Sequence, residues 1–193
     1  MNFNLLHDAV LVSMALLLAV AIAVIIERLI YYAYVEKAKK RLLAVLGRGK
    51  PGELQAELER STSGPHAKMV AGVAALKATD PERFDLKVQA LYLSQQGGVR
   101  RLLWLVDTTV TLAPLLGLLG TILGIIDTFT ALAAQGVSDP QAVSAGIGTA
   151  LFATAAGIGI AVSCLIFNNY FNERVERVNE ELKVLALDYA SGS

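Results

Sequence analysis

Three stretches of this chain carry no charged residue over the length a helix needs to cross a bilayer, and little else constrains its fold as strongly. The first runs from Val10 to Ile26 and ends at Glu27 and Arg28. The second runs from Thr108 to Ile126 between Asp107 and Asp127, and the third from Pro140 to Asn172, with its apolar part over Ala142 to Phe167. A hydrocarbon core of roughly 30 Å needs about 20 mostly apolar helical residues, because lipid cannot satisfy an open backbone. With 54% hydrophobic residues among 193, the chain is also too apolar for an ordinary water-soluble domain. The pattern predicts an all-α integral membrane protein with three transmembrane helices, the second and third long and extending into the cytoplasm. A signal peptide is the competing reading of the first run. It fits poorly, since no Lys or Arg precedes the run and no small-x-small cleavage site follows it.

Charge sets the orientation. Every Lys and Arg other than Arg28 lies between residues 36 and 101 or after Asn172. The positive-inside rule then puts those regions in the cytoplasm, with Lys37, Lys39, Lys40 and Arg41 as the strongest cluster. The expected organisation is a first transmembrane helix with an outward N-terminus (1–35), a cytoplasmic helical loop (36–101), a second transmembrane helix (102–133), a turn on the far side (134–141), a third transmembrane helix (142–171) and a cytoplasmic helical tail (172–193). Ser138-Asp139-Pro140 reads as an N-cap with Pro at the first helical position, so the last two spans form an antiparallel hairpin.

Within the loop, breaks at Gly47–Gly52 and Ser61–Pro65 leave room for two short helices. Thr79-Asp80-Pro81-Glu82 looks like another N-cap, after which Phe84, Val88, Leu91, Gln95 and Val99 keep helical spacing; this helix is expected to run unbroken into the second span. Beyond the third span, Val175, Val178, Leu182, Leu185 and Tyr189 recur at steps of three and four. Packing within the subunit explains both stripes, with docking of another protein as the alternative.

Inside the spans the pattern is finer. Asp107, Thr111, Pro114, Gly117, Thr121, Gly124 and Thr128 share one face of the second span, and Gly146, Ala150, Thr154, Gly157, Ala161, Cys164 and Asn168 share one face of the third. Small residues let helices approach closely, and that accounts for most of the glycines. Hydroxyls recurring at several depths are less well explained by packing, and the alternative is the wall of a polar passage. No acid or base lies mid-span, because Asp107 and Asp127 sit at helix ends. Asp107 is either an ion exit or a helix-end carboxylate paired with Arg100 or Arg101; Glu27 and Arg28 read as an intrahelical or intersubunit pair. If ions cross, a partner helix brings the titratable carboxylate.

Other function classes recede. The net formal charge of zero argues against nucleic acid as a partner. There is no nucleophile with a base, no phosphate-binding glycine loop and no His/Cys/Asp/Glu cluster, so catalytic residues, metal and cofactor are all expected to be absent. Cys164 is the single cysteine and forms no internal disulfide.

The run Ala113-Pro114-Leu115-Leu116-Gly117-Leu118-Leu119-Gly120-Thr121-Ile122-Leu123-Gly124-Ile125 resembles the second-span motif of the MotA/TolQ/ExbB proton channel proteins. Gly146-Ile147-Gly148-Thr149-Ala150-Leu151-Phe152-Ala153-Thr154-Ala155-Ala156-Gly157 resembles their third-span motif, and three spans with a modest loop resemble the ExbB/TolQ branch. The resemblance implies a homopentamer in the bacterial inner membrane. Its pore would hold the single transmembrane helices of two ExbD/TolR-type subunits, each bringing an essential Asp. It implies that inward proton flow drives work on the envelope through a TonB- or TolA-type protein, TonB-dependent transport first. Thr121 and Thr154 match the family threonines that line the ion path. Thr149, Asp107, Thr111 and Thr128 follow as secondary candidates, and Pro114, Gly117, Gly120, Gly124, Gly146, Ala150 and Gly157 as packing or pore-lining residues. Two positions depart from the pattern. Thr149 stands where ExbB and TolQ usually have Glu, which opens a sodium-driven alternative, and Ser163 stands where Pro is common. The remaining alternative is a non-conducting helical scaffold.

Overall fold

The computed structural model describes residues 3–47, 51–61, 64–79, 84–135 and 140–191. The elements are α1 (Phe3–Leu46), α2 (Pro51–Arg60), α3 (Pro65–Thr79), α4 (Phe84–Arg100), α5 (Leu103–Gln135) and α6 (Pro140–Ser191). Helices α1, α5 and α6 are each long and apolar enough to cross a membrane. The expected all-α, three-span architecture is what the chain adopts. Both short loop helices form, as α2 and α3. The proposed N-cap residues 80–82 and 138–139 lie outside the described residues.

The chain divides into two compact units. The first comprises residues 1–25 and 102–169: the start of α1, all of α5 and most of α6. Its interior is made of small side chains. Ala113, Gly117, Gly120 and Thr121 of α5 and Ala150, Ala153, Gly157 and Ala161 of α6 are buried, while Leu115, Leu118, Phe152, Ile158 and Ile166 are exposed. Bulky apolar groups outside and small ones inside is the arrangement a lipid solvent selects, since burying Leu gains nothing against hydrocarbon tails while close backbone approach gains dispersion and interhelical hydrogen bonds. Val10 and Met14 of α1 pack on Leu123, with Leu116, Ala156 and Ile160 at the edge of that cluster. Pro114 sits inside α5; within a membrane span neighbouring helices compensate for the amide it lacks.

The second unit comprises residues 26–101 and 170–193. On α1, Arg28, Tyr32, Val35, Ala38 and Leu42 form the buried stripe, and on α6 Phe171, Val175, Val178 and Leu182 do. The 3–4 spacing of both is that of helices packed side by side. The tail stripe is therefore used within the subunit at Val175, Val178 and Leu182. Helix α3 buries Met69, Val70 and Val73, and Gly72 abuts the Leu91 side chain of α4.

One expectation fails. The helix beginning at Phe84 does not continue into the second span: α4 stops at Arg100 and α5 starts at Leu103. Leu102 has φ 64°, a left-handed conformation costing an L-residue about 1–2 kcal/mol. The compensation is visible at the freed carbonyls. Leu102 O accepts the Leu105 amide, opening α5. Val99 O, without a helical partner, accepts the Tyr32 hydroxyl at 2.9 Å and the Arg28 guanidinium at 3.4 Å. A helix C-terminus carries partial negative charge, so a cation there is favourable. Arg28 is 1% exposed and holds Glu27 through both Nε and Nη2, confirming the pair as intrahelical.

Candidate functional site

The small faces of α5 and α6 meet each other. A Cβ on Gly117 would come within 2.8 Å of Ala153 O and 3.0 Å of Thr154 Cα; on Gly157 it would come within 2.5 Å of Ala113 O. On Gly124 it would meet the Ala150 Cβ at 2.9 Å, on Gly120 the Ala153 Cβ at 3.2 Å, and on Gly146 the Thr128 side chain. At Gly117 and Gly157 it is the partner backbone that leaves no room for a Cβ; at Gly120, Gly124 and Gly146 it is a partner side chain. Ala150 is almost wholly buried in the same seam, and Pro114 is half-buried beside it.

At the middle of this seam the two threonines come together. Thr121 Oγ1 and Thr154 Oγ1 are hydrogen-bonded to each other. Thr121 Oγ1 also lies 3.1 Å from Gly117 O and 3.1 Å from Ala150 O, and Thr154 Oγ1 lies 3.0 Å from Gly117 O. Each hydroxyl has one proton to donate, yet two carbonyls and two hydroxyl oxygens stand ready to accept. The protons therefore have more than one satisfied arrangement. Thr121 is buried and Thr154 half-buried, so the node sits at the edge of the seam. Such a group of oxygens can pass a hydrogen bond along or offer hard ligands to a cation.

The secondary candidates are more scattered. Asp107 Oδ1 accepts the Asn168 amide at 3.3 Å, a partner the neighbouring arginines had seemed to supply. Thr128 bonds its own helix at Gly124 O and packs on Gly146. Thr111 and Thr149 are exposed and bonded to Thr108 O and Ala145 O within their own helices. Ser163 likewise bonds Gly159 O, and α6 is a continuous helix through it. Sequence reasoning passed over His7, whose Nε2 lies 3.7 Å from where a Gly124 Cβ would stand. Nothing in its spacing signals this, since α1 is remote in sequence from α5. Among the described residues no three His, Cys, Asp or Glu side chains converge into a metal-binding group.

The geometry defines a class of architecture, a multi-span helical hairpin with a hydroxyl pair set in a glycine seam. Residues 55–184 match the MotA/TolQ/ExbB proton channel family, and the chain belongs to that family. Its relatives lie on the ExbB side. It is 31% identical over 156 residues to a biopolymer transport protein, ExbB-like 3, of Synechocystis sp., covering 78% of this chain and 74% of that one. It is 39% identical over 117 residues to ExbB-like 1 of the same organism, covering 59% of this chain but only 43% of that relative. It is 32% identical over 108 residues to the biopolymer transport protein ExbB of Aquifex aeolicus, covering 56% and 68%. The family comprises channel and transport subunits rather than enzymes.

Proposed function

We propose that this chain is an ExbB-type ion-conducting stator subunit of the bacterial inner membrane. In this reading it assembles as a homopentamer around two single-span ExbD/TolR-type helices. Inward proton flow then drives their movement and, through a TonB- or TolA-type protein, work on the envelope, with TonB-dependent transport the first task to test. The N-terminus lies outside the cytoplasm and the α6 tail inside it; residues 1–35, 102–133 and 142–171 cross the membrane, 36–101 and 172–193 lie in the cytoplasm, and 134–141 turn on the far side.

The observation that carries this is the Thr121–Thr154 pair, which puts rearrangeable hydroxyls in the middle of the span where packing alone would be served by Gly and Ala. The spans of α5 and α6 hold charges only near their ends, with Asp107 and Asp127 on α5 and Glu173 the first on α6. A charge stranded at the bilayer centre costs at least about 2.5–3.5 kcal/mol, so the conducting path needs a carboxylate from the partner helix. Each unit charge crossing yields about 2.3 kcal/mol per 100 mV. Asp107 with Asn168 is the inner station of the path; Thr111, Thr128 and Thr149 are minor contributors. Pro114, Gly117, Gly120, Gly124, Gly146, Ala150 and Gly157 set the helix spacing.

Sodium coupling is the second reading, favoured by Thr149 in place of Glu and by a node built wholly of hydroxyl and carbonyl oxygens. The test is flux into proteoliposomes holding this protein and its single-span partner, under separate proton and sodium gradients, with Thr154→Ala alongside. Flux of one ion, lost in the variant, is the expected result and names the ion. An assembled complex that passes neither ion would reduce the seam to a packing device.

A further inference from the structure

Within the second unit, α4 and α6 flank a polar groove of about 530 Å³ that none of the chemistry above uses. Its size is that of a small-ligand site, roughly 300–1,000 Å³. Helix α4 lines it with Tyr92, Gln96 and Arg100 at steps of four, and α6 with one face that carries Asn172, Glu176, Asn179 and Glu180. Tyr92 and Lys183 also line a neighbouring cavity with Asp85 and Leu187. That places Tyr92 across from the far end of the α6 face and leaves Arg100 across from Asn172. The other end of the groove therefore points toward the spans: α5 begins at Leu103, three residues past Arg100, and the apolar run of α6 ends at Phe167, five before Asn172. The Arg100–Asn172 end stands at the headgroup level of the bilayer these helices cross.

The polar groups of the groove are not matched within the chain. Among the described residues, none of Arg100, Glu176, Glu180 and Lys183 makes an ion pair, although Glu173 and Arg177 pair on the adjoining surface of α6. Asn179 Oδ1 is buried and has no hydrogen-bond partner among the described residues. A buried acceptor lacking a donor is costly, and a turn about the soft χ2 torsion brings Oδ1 to the groove. The signs are also ordered. A cation, Arg100, stands at the membrane end; three acceptors, Glu176, Asn179 and Glu180, follow one to two turns on; Lys183 lies beyond them. Such an order suits a ligand with an oxyanion at one end and an N–H-bearing cation about one helical turn away.

We propose that this groove binds the headgroup of a phosphatidylethanolamine-type lipid, with Arg100 and the Asn172 amide donating to the phosphate and with Glu176 and Asn179 Oδ1 accepting from the primary ammonium. The two-carbon linker between those charges is comparable to the one-turn rise from Asn172 to Glu176, about 5.4 Å. A glycerol headgroup would bring its phosphate beside two unpaired carboxylates and offer them no cation. A choline headgroup has a cation but no N–H for Oδ1, and Tyr92 alone is not the aromatic cage a quaternary ammonium prefers. Free phosphoethanolamine shares the chemistry but lacks the chains that hold a lipid at this depth. The leaflet that supplies the lipid follows from the topology proposed above; the site needs only that α5 and α6 cross the membrane, and its test needs no ion flux.

The experiment mixes the full-length protein in detergent micelles with phosphatidylethanolamine, phosphatidylglycerol or phosphatidylcholine of identical acyl chains and counts bound lipid by native mass spectrometry. The ethanolamine lipid should be retained about three- to tenfold better than either of the others, the worth of a partly exposed charge-assisted hydrogen bond. Glu176→Gln should erase that preference. Glu173→Gln removes the same charge from a residue outside the groove and should keep it. Equal retention of the three lipids, or equal behaviour of the two variants, overturns the proposal and leaves the groove to a protein partner. Free phosphoethanolamine at the same concentration should not displace the lipid; if it does, the ligand is a soluble zwitterion and the lipid assignment fails. Should Glu176→Gln fail to fold, the wild type with N-methylated ethanolamine lipids decides. Retention should drop with each methyl as N–H donors are lost, and a flat series overturns the proposal.

Discussion

Gly157→Ala isolates the closest backbone approach in the hairpin. The new methyl would stand 2.5 Å from Ala113 O, 3.2 Å from Gly117 Cα and 3.3 Å from the Ala113 carbonyl carbon. A relaxed C···O contact is about 3.3 Å, so α5 and α6 must part by roughly 0.8 Å at this point. All three obstructing atoms are backbone and cannot rotate aside. A gap of that size forfeits about a quarter to a half of each dispersion contact along the seam, and overpacking of this kind costs about 1–3 kcal/mol. Parting also stretches the bond from Thr154 to Gly117 O, one turn away. The control is Gly159→Ala on the same helix, where a Cβ meets nothing within 4 Å; there the better helix propensity of Ala should gain up to about 1 kcal/mol. Equilibrium unfolding in matched detergent micelles, followed through Trp104, the single tryptophan, compares the two. Equal stability of the two variants would refute the claim that backbone contact, rather than lipid exposure, explains the glycine at 157.

Two further substitutions probe other parts of the argument. Thr121→Val keeps the shape and removes the hydroxyl; stability should fall by about 1 kcal/mol or less, while ion flux in proteoliposomes is lost. Intact flux would make the hydroxyl dispensable. Tyr32→Phe should cost about 1 kcal/mol by withdrawing one donor from Val99 O, and Arg28→Met about 1–3 kcal/mol. Because both donors share that carbonyl, the double variant should show a coupling of at least about 0.5 kcal/mol in a double-mutant cycle read by unfolding.

The parts of the fold that depend on local pattern were legible before the structure. A run without charge, a stripe every three or four residues and a pair of glycine-bearing breaks each act over a few turns, so Thr121 and Thr154 could be assigned to the small faces of their helices. What could not be read is whatever depends on distant residues. At the stop at Arg100, α1 side chains 67 to 71 positions away occupy Val99 O, and Leu102 gives no compositional hint of a positive φ. Gly97 and Gly98 were the available signal, as two poor helix formers one turn before the break. The His66–Glu181 bond was equally hidden. A lone histidine and a glutamate 115 positions apart look solvent-facing until the fold brings them together. The same holds for Asp107, whose basic neighbours in sequence were plausible partners until Asn168 was found opposite it.

The hairpin has a further property that follows from its register. The Thr121–Thr154 and Asp107–Asn168 pairs lie fourteen positions apart on both helices, so one antiparallel alignment satisfies both at once. Sliding α6 along α5 by a single turn, about 5.4 Å, would drive Gly157 off the Ala113 carbonyl and put a larger side chain against it. Rolling is resisted most at Gly117 and Gly157, where the nearest contacts are backbone atoms with no rotamers to yield. The pair is keyed like a splined shaft. Within the first unit, movement is therefore expected to carry α5 and residues 140–169 of α6 together, with slip confined to their outer, bulky surfaces.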